Sequence, residues 1–312
     1  MKNFISYISV ILVLVFLAQF FISSKNLSDD EIHKNQFKNQ YAIFSLVKPK
    51  NISFCNEEAP LYAFDIYERM DKELLKNTYW QSNMLLYIKR ANKYFPVIES
   101  ILAKNKIPDD FKYLALIESG LENVVSPAGA TGFWQILKST AREYDLEVNS
   151  AIDERYHLEK STQFACDYLN EAYSIFGSWT MAAASYNMGM NGLKRTIEKQ
   201  KTKNYYNLHL NSETSRYIFR ILAVKEIMEN AKDYGFVYRT SDLYNMIEYR
   251  IIHVDSTVAD LYAFAKQQGV NYKLLKQMNP WLLKSTLPDE SRKRYEIKIP
   301  IDNSSLIFSE LD

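Results

Sequence analysis

Hydrophobic and polar positions divide the chain into stretches of different period. Phe4 to Ile22 is an uncharged, mostly apolar run of nineteen residues, preceded by Lys2. At about 1.5 Å per residue a helix of this length spans about 28 Å, enough to cross a hydrocarbon core. Signal-peptide cores are shorter, about 7–15 residues, and end at a small-residue cleavage site. This run leaves through Phe-Phe-Ile-Ser-Ser-Lys-Asn and no Cys follows it, so a lipoprotein anchor is not expected. Residues 1–24 therefore read as an uncleaved membrane anchor, with a cleaved signal segment as the alternative. Residues 25–59 are polar and irregular and read as a tether.

A helical period then takes over. Between Leu74 and Lys104, Leu85, Ile88, Tyr94, Ile98 and Leu102 recur at helix-like intervals. A second helix opens after Ile107-Pro-Asp-Asp110, whose acids suit a positive helix end, and stops at Gly120. Further helices are predicted over Glu159–Phe176, stopped by Gly177, and after Ser178 as N-cap, where Ala182, Ala183 and Ala184 permit close approach. One more is predicted over Arg216–Ala231. No strand-rich pattern precedes residue 245. After it, Ile247–Val254 and Tyr295–Ile299 alternate as strands, with short helices over Val258–Gln268 and Tyr272–Met278 between them. The expected fold class is mainly α, followed by a small βααβ module.

Glu118 interrupts this patterning. It shares one stripe (i, i+3, i+4, i+7) with Phe111, Leu114 and Ala115, in the last turn before Gly120. An apolar stripe and the negative end of a helix dipole both disfavour its charged form. A carboxylic acid still protonated near neutrality is what a general acid for glycoside cleavage requires. The alternative is a helix-end Glu that reaches water.

Composition narrows the classes. With 47% hydrophobic residues in 312, the chain can bury a full core and form two folded units. A net charge of +1 leaves no basic footprint for nucleic acid. The 23 tyrosines suit carbohydrate through a stacking face and a hydrogen-bonding tip, although most such rings pack in cores. Two cysteines, Cys55 and Cys166, do not by themselves define a disulfide, and four scattered histidines have no metal spacing. No metal and no cofactor are assigned.

Four short motifs follow in order: Glu118-Ser119, Gly132-Phe133-Trp134-Gln135, Ser185-Tyr186-Asn187 and Glu213-Thr-Ser-Arg-Tyr217. Together they resemble the lytic transglycosylases with a goose-type lysozyme fold, and particularly the membrane-bound branch that carries sugar-binding modules after the catalytic domain. Ser185 stands where that family has Ala. The resemblance covers roughly residues 60–240, and the βααβ order over 246–301 is similar to a degenerate LysM module. Asp255-Ser256-Thr257 stands about where LysM proteins have Gly-Asp-Thr, and Trp281 to Arg294 is a longer insert than such a module needs.

The resemblance implies cleavage of the β-1,4 bond between N-acetylmuramic acid and N-acetylglucosamine, with Glu118 as acid and then base and a 1,6-anhydro product. It implies substrate contacts from Ser119, Ser126, Trp134, Gln135, Tyr186 and Asn187, and a Tyr217 hydroxyl that orients Glu118. Local rules leave alternatives open: Trp134 as a packed loop aromatic, Asn187 as an ordinary turn residue, Tyr217 as core. Glu122 reads as a solvated loop acid, and Asp153 with Arg155 as a structural pair. The implied partners are peptidoglycan strands, and a membrane through residues 4–22, in a periplasm-facing envelope location; protein partners stay unknown. A hydrolytic muramidase and a non-catalytic peptidoglycan-binding scaffold are the competing readings.

Overall fold

The computed structural model describes residues 28–32, 34, 45–47, 49–288 and 293–301. The expected anchor at residues 4–22 lies outside them. Among the described residues no helix is long and apolar enough to cross a membrane. Two compact units emerge, Met1–Ser45 and Leu46–Asp312. In the first, Ser28 and Glu31 cap a helical turn reciprocally: Glu31 N–H donates to Ser28 Oγ (3.2 Å) and Ser28 N–H to Glu31 Oε2 (3.0 Å).

The second unit begins inside the stretch read as a tether. Ser53–Phe54 (β1) and Glu57–Glu58 (β2) form a small hairpin, with Cys55 and Asn56 both at positive φ in its turn. Ile52 and Phe54 alternate inward and are buried, Phe54 edge-on to Phe111. Two apolar residues in a polar stretch are too short a pattern to read as a strand, which is why packed structure went unseen here.

The helical period from Leu74 resolves into two helices, Phe64–Tyr79 (α1) and Gln81–Lys104 (α2). Only Trp80, at φ −86° and ψ 59°, leaves the helical region between them, and no glycine or proline marks it. The break lets Met70 and Leu74 of α1 and Met84 and Ile88 of α2 all reach the core. Phe111–Ser119 (α3) ends on Gly120 in the left-handed region (φ 65°), as its sequence predicts. Asp110 does not cap α3. Its carboxylate accepts from Lys225 Nζ (2.7 Å) and the Cys55 N–H (2.6 Å), tying the hairpin to a later helix.

Lys138–Glu143 (α4) and Leu158–Phe176 (α5) follow, the latter closed by Gly177 at φ 68°. Ser178 caps Trp179–Met188 (α6) through Met181 N–H, and Met190–Gln200 (α7) comes next. Thr214–Glu229 (α8) forms the axis of the body, packed on α1, α3 and α6. Tyr217, Ile218, Phe219, Ile221, Leu222 and Ala223 are all inaccessible to solvent. The three alanines of α6 are likewise fully buried, which allows α5 and α8 to approach it. Ser185 fits there because its hydroxyl donates to Ala182 O (2.7 Å).

The C-terminal elements form in the expected order: Tyr249–Val254 (β3), Leu261–Gln267 (α9), Tyr272–Met278 (α10) and Tyr295–Pro300 (β4). The strands pair antiparallel from Tyr249↔Pro300 to Val254↔Tyr295. Buried Asn279 knits the end of α10 to β4, donating to Lys298 O and accepting from Lys298 N–H, both at 2.8 Å. Leu261, Leu275, Ile297 and Ile299 centre a second core, and this core also includes Ala151 and Ile152 of the helical body.

Candidate active site

Gly120 stops α3 one turn early enough to leave Glu118 at a helix end rather than inside the bundle. Its carboxyl is partly accessible but largely surrounded by protein. Burial pushes its pKa above the ordinary value, and the negative charge of Glu213 adds to the rise. The Tyr217 hydroxyl, which donates to Glu118 Oε1, and the nearby Arg220 guanidinium pull the other way without cancelling it. Arg220 reaches this position from α8 by donating to Ile117 O (2.9 Å), where it also meets the negative end of α3. Tyr217 is fully buried, and burial together with Glu118 raises its phenol far above its ordinary pKa, so it remains a donor.

The loop from Leu121 to Ile136 follows directly on α3 and is bonded back to it through Ser119. Gly132 is at φ 80°, and a Cβ there would sit 2.1 Å from the Arg155 carbonyl oxygen, so only glycine fits. Above that contact, Arg155 is held by Asp153 through two bonds (2.9 and 2.7 Å) and donates to Gly129 O (3.1 Å) and Ile136 O (3.0 Å). A buried ion pair thus clamps both ends of a Gly-rich turn. Gln135, at φ 47°, folds its amide nitrogen back onto Val124 O (3.1 Å) and Gly132 O (2.9 Å), so its Oε1 is the group left to accept from a ligand.

Bonds from its backbone carbonyls join this loop to α3 and α6. Ser119 Oγ donates to Phe133 O (2.9 Å), and Tyr186 Oη donates to Trp134 O (2.7 Å). Burial, followed by the charge on Glu118, raises the Tyr186 phenol as well, placing that ring within the electrostatic reach of the acid. Asn187 is fixed by donating to Glu213 Oε1 (3.0 Å) and accepting from Thr214 Oγ1 (2.7 Å). A half-buried acid with a raised pKa, two neutral phenols and fixed amides surround one end of α3. That donor set suits a sugar's hydroxyl and acetamido groups.

Two family models and several known proteins match the chain. Residues 96–209 match the family model of the transglycosylase SLT domain, and residues 250–303 that of the soluble lytic transglycosylase C-terminal LysM-like domain. The chain carries a transglycosylase SLT domain. It is 29% identical over 228 residues to the membrane-bound lytic murein transglycosylase D of Escherichia coli strain K12, covering 71% of this chain and 49% of that protein. The same figures hold for its counterpart in Escherichia coli O6:H1. The chain thus spans about half the length of the curated relatives it matches. The crystal structure of the 70 kDa soluble lytic transglycosylase of Escherichia coli aligns at a TM-score of 0.40 and 19% identity, covering 55% of this chain and 29% of that one.

Within the SLT domain the expected site residues separate into two groups. Ser119, Gln135, Tyr186 and Asn187 are partly accessible and bonded to the elements around Glu118. Ser126 is placed differently, in the turn below, where its Oγ accepts from Ala130 N–H (3.0 Å) and its carbonyl from Gly129 N–H (2.9 Å). Trp134 does not face the cleft. It is fully buried, its indole N–H donating to Thr162 Oγ1 (2.9 Å) and its ring edge-on to Tyr186, because a ring this large is needed to fill the space under the loop. Glu122 is exposed and paired with Arg90 (2.7 Å).

Three participants were missed from sequence: Arg220, Glu213 as the acid that acts on Glu118, and Thr214. Arg220 stands three residues after Tyr217, so helical spacing could have indicated it. The other two open the Glu213-Thr-Ser-Arg-Tyr217 motif, but their bonds to Asn187 and the effect of Glu213 on Glu118 depend on the fold. Among the described residues no group of three His, Cys, Asp or Glu could hold a metal ion.

Proposed function

We propose that this protein is a peptidoglycan lytic transglycosylase that cleaves the β-1,4 bond between N-acetylmuramic acid and N-acetylglucosamine, leaving 1,6-anhydromuramic ends. The observation that carries the reading is Glu118, an acid of raised pKa bonded to a buried tyrosine at the end of α3. Because Tyr217 donates to Oε1, the carboxyl proton resides on Oε2, free to be delivered. It passes to the glycosidic oxygen as the bond from C1 breaks. The resulting carboxylate takes the proton of the muramic C6 hydroxyl while O6 bonds to C1, which returns Glu118 to its acid form. No water is consumed. Gln135 Oε1 and the partly exposed faces of Tyr186 and Asn187 supply contacts that orient the sugar, and Ser119 and Trp134 hold their carrier loop.

The curated relatives of Escherichia coli are named as membrane-bound lytic murein transglycosylases. We place the protein in the cell envelope, facing the periplasm, with residues 4–22 as a membrane anchor, 60–240 as the catalytic region and the LysM-like module beside it. The decisive experiment digests purified sacculi and weighs the released ends. Anhydro ends, lighter by one water than hydrolysed ones, support the reading. Hydrated reducing ends alone would make the protein a muramidase, and absence of cleavage would make it a binder.

A further inference from the structure

The segment 151–157 has two faces, and they serve different parts of the molecule. One face is bound by the C-terminal module. Residues 281–283 run beside it as a strand partner: Asp153 N–H donates to Trp281 O (3.0 Å), Leu283 N–H to Ala151 O (2.8 Å), and Ile152 pairs antiparallel with Leu282. The Trp281 ring lies between His157 and Tyr295, with centroids 5.7 Å from each. Flanking this seam, Tyr295 Oη donates to Glu147 Oε2 (3.0 Å) and Lys298 Nζ pairs with Glu159 (2.5 Å). Ala151 and Ile152 are buried in the module's own core. The insert after α10 therefore docks together with Tyr295 and Lys298 of β4.

The other face is the clamp on the active-site loop. Asp153, whose N–H is held by the module, holds Arg155 with its carboxylate. Arg155 in turn bonds Gly129 O and Ile136 O, and its carbonyl packs against Gly132. The same loop carries Gln135 and gives its Phe133 and Trp134 carbonyls to Ser119 and Tyr186. A continuous run of backbone bonds and one buried ion pair therefore leads from Trp281 to the loop that carries Gln135.

We propose that the C-terminal module positions the Gln135 loop through Asp153 and Arg155, and so acts on turnover itself as well as on retention of glycan. Asp153 and Arg155 are positioning residues in this scheme, and Trp281 is the module's grip on them. A module that only tethers raises local substrate concentration and leaves the chemical step alone. One that braces the loop changes kcat, because misplacing a substrate-orienting group by ~1 Å costs up to about 10²-fold. The inference rests on the transglycosylase reading for its kinetic part only.

The test uses the full chain with Trp281→Ala, and with Lys298→Met as the milder variant that removes the Glu159 link and, within the module, the cation contact with the Tyr249 ring. Arg250→Ala, whose bonds run to Gln268 inside the module, is the control. Three quantities are read: kcat and KM on a short soluble peptide-free glycan oligomer, retention on sacculi, and amide hydrogen exchange over residues 129–136. The expected result is a kcat loss of about tenfold for Trp281→Ala and a smaller loss for Lys298→Met, with KM nearly unchanged. Exchange in the loop accelerates in both and stays at the wild-type rate in Arg250→Ala. If Trp281→Ala does not fold, Lys298→Met decides. Wild-type kcat on the oligomer in the folded variants, with or without faster exchange, would overturn the positioning role, and reduced retention alone would leave a tether. If the wild type itself cleaves no oligomer, the enzymatic reading fails, and unchanged loop exchange in the variants would separately refute the coupling.

Discussion

Replacing Glu118 by Gln should separate the two consequences of burying an acid. The amide keeps the shape and still accepts from Tyr217, but it can neither deliver nor retrieve a proton. General acid–base assistance is worth about 10²–10⁴-fold, or about 2.7–5.5 kcal/mol of barrier. On the proposed mechanism one group performs both transfers, and the loop acid Glu122 is occupied by Arg90, so the loss should fall at the upper end. Stability should move the other way. A carboxyl whose folded pKa is raised holds its proton more tightly when folded, so stability is full below the unfolded value near 4.5 and declines as pH rises through the folded one. Each unit of difference amounts to about 1.4 kcal/mol. Glu118→Gln removes that decline. Thermal melts from pH 4 to 8 should show variant and wild type converging in acid and the variant more stable at high pH. Turnover on sacculi, measured by anhydro-end release, should fall to background. A loss smaller than tenfold, or a stability gap that widens toward acid, would refute the assignment of Glu118 as a buried, proton-carrying acid.

Tyr217→Phe removes the bond that lowers the Glu118 pKa, so the alkaline limb of kcat/KM should shift to higher pH while kcat falls; a pH–rate profile checks this. Gly132→Ala forces a Cβ against the Arg155 carbonyl at positive φ, and should cost about 2–5 kcal/mol in denaturant unfolding. Trp134→Phe deletes the bond to Thr162 and leaves a void, costing roughly 1–3 kcal/mol, with KM on soluble glycan unchanged because the ring is out of substrate reach.

Much of the helical body is legible because its signals are local. Gly120 and Gly177 end α3 and α5 in the left-handed region, and Ser178 caps α6. Glu118 is conspicuous for the same reason: helical spacing alone puts an acid on an apolar stripe. What stays hidden depends on long-range packing. Trp80 splits one predicted helix into two with no breaker residue, and Phe54 anchors a hairpin within a polar stretch. Trp134 reads equally well as groove or core until Thr162, 28 residues away, is seen to bond it. Arg155 looks like half of a local ion pair, and only the fold reveals that it also braces the turn carrying Gln135.

The depth of α8 gives Glu118 a stiff seat. Tyr217 and Arg220, which set the acid, stand on a helix whose core-facing residues are shut off from solvent along its length. That helix can open only when the body unfolds, so its amides should be among the last to exchange. The loop that carries Gln135 is held as well, by the Arg155 clamp and by buried Trp134, and within residues 131–136 only Gln135 is partly exposed. On the proposed function, the group that would carry the proton is therefore seated in the foundation of the body.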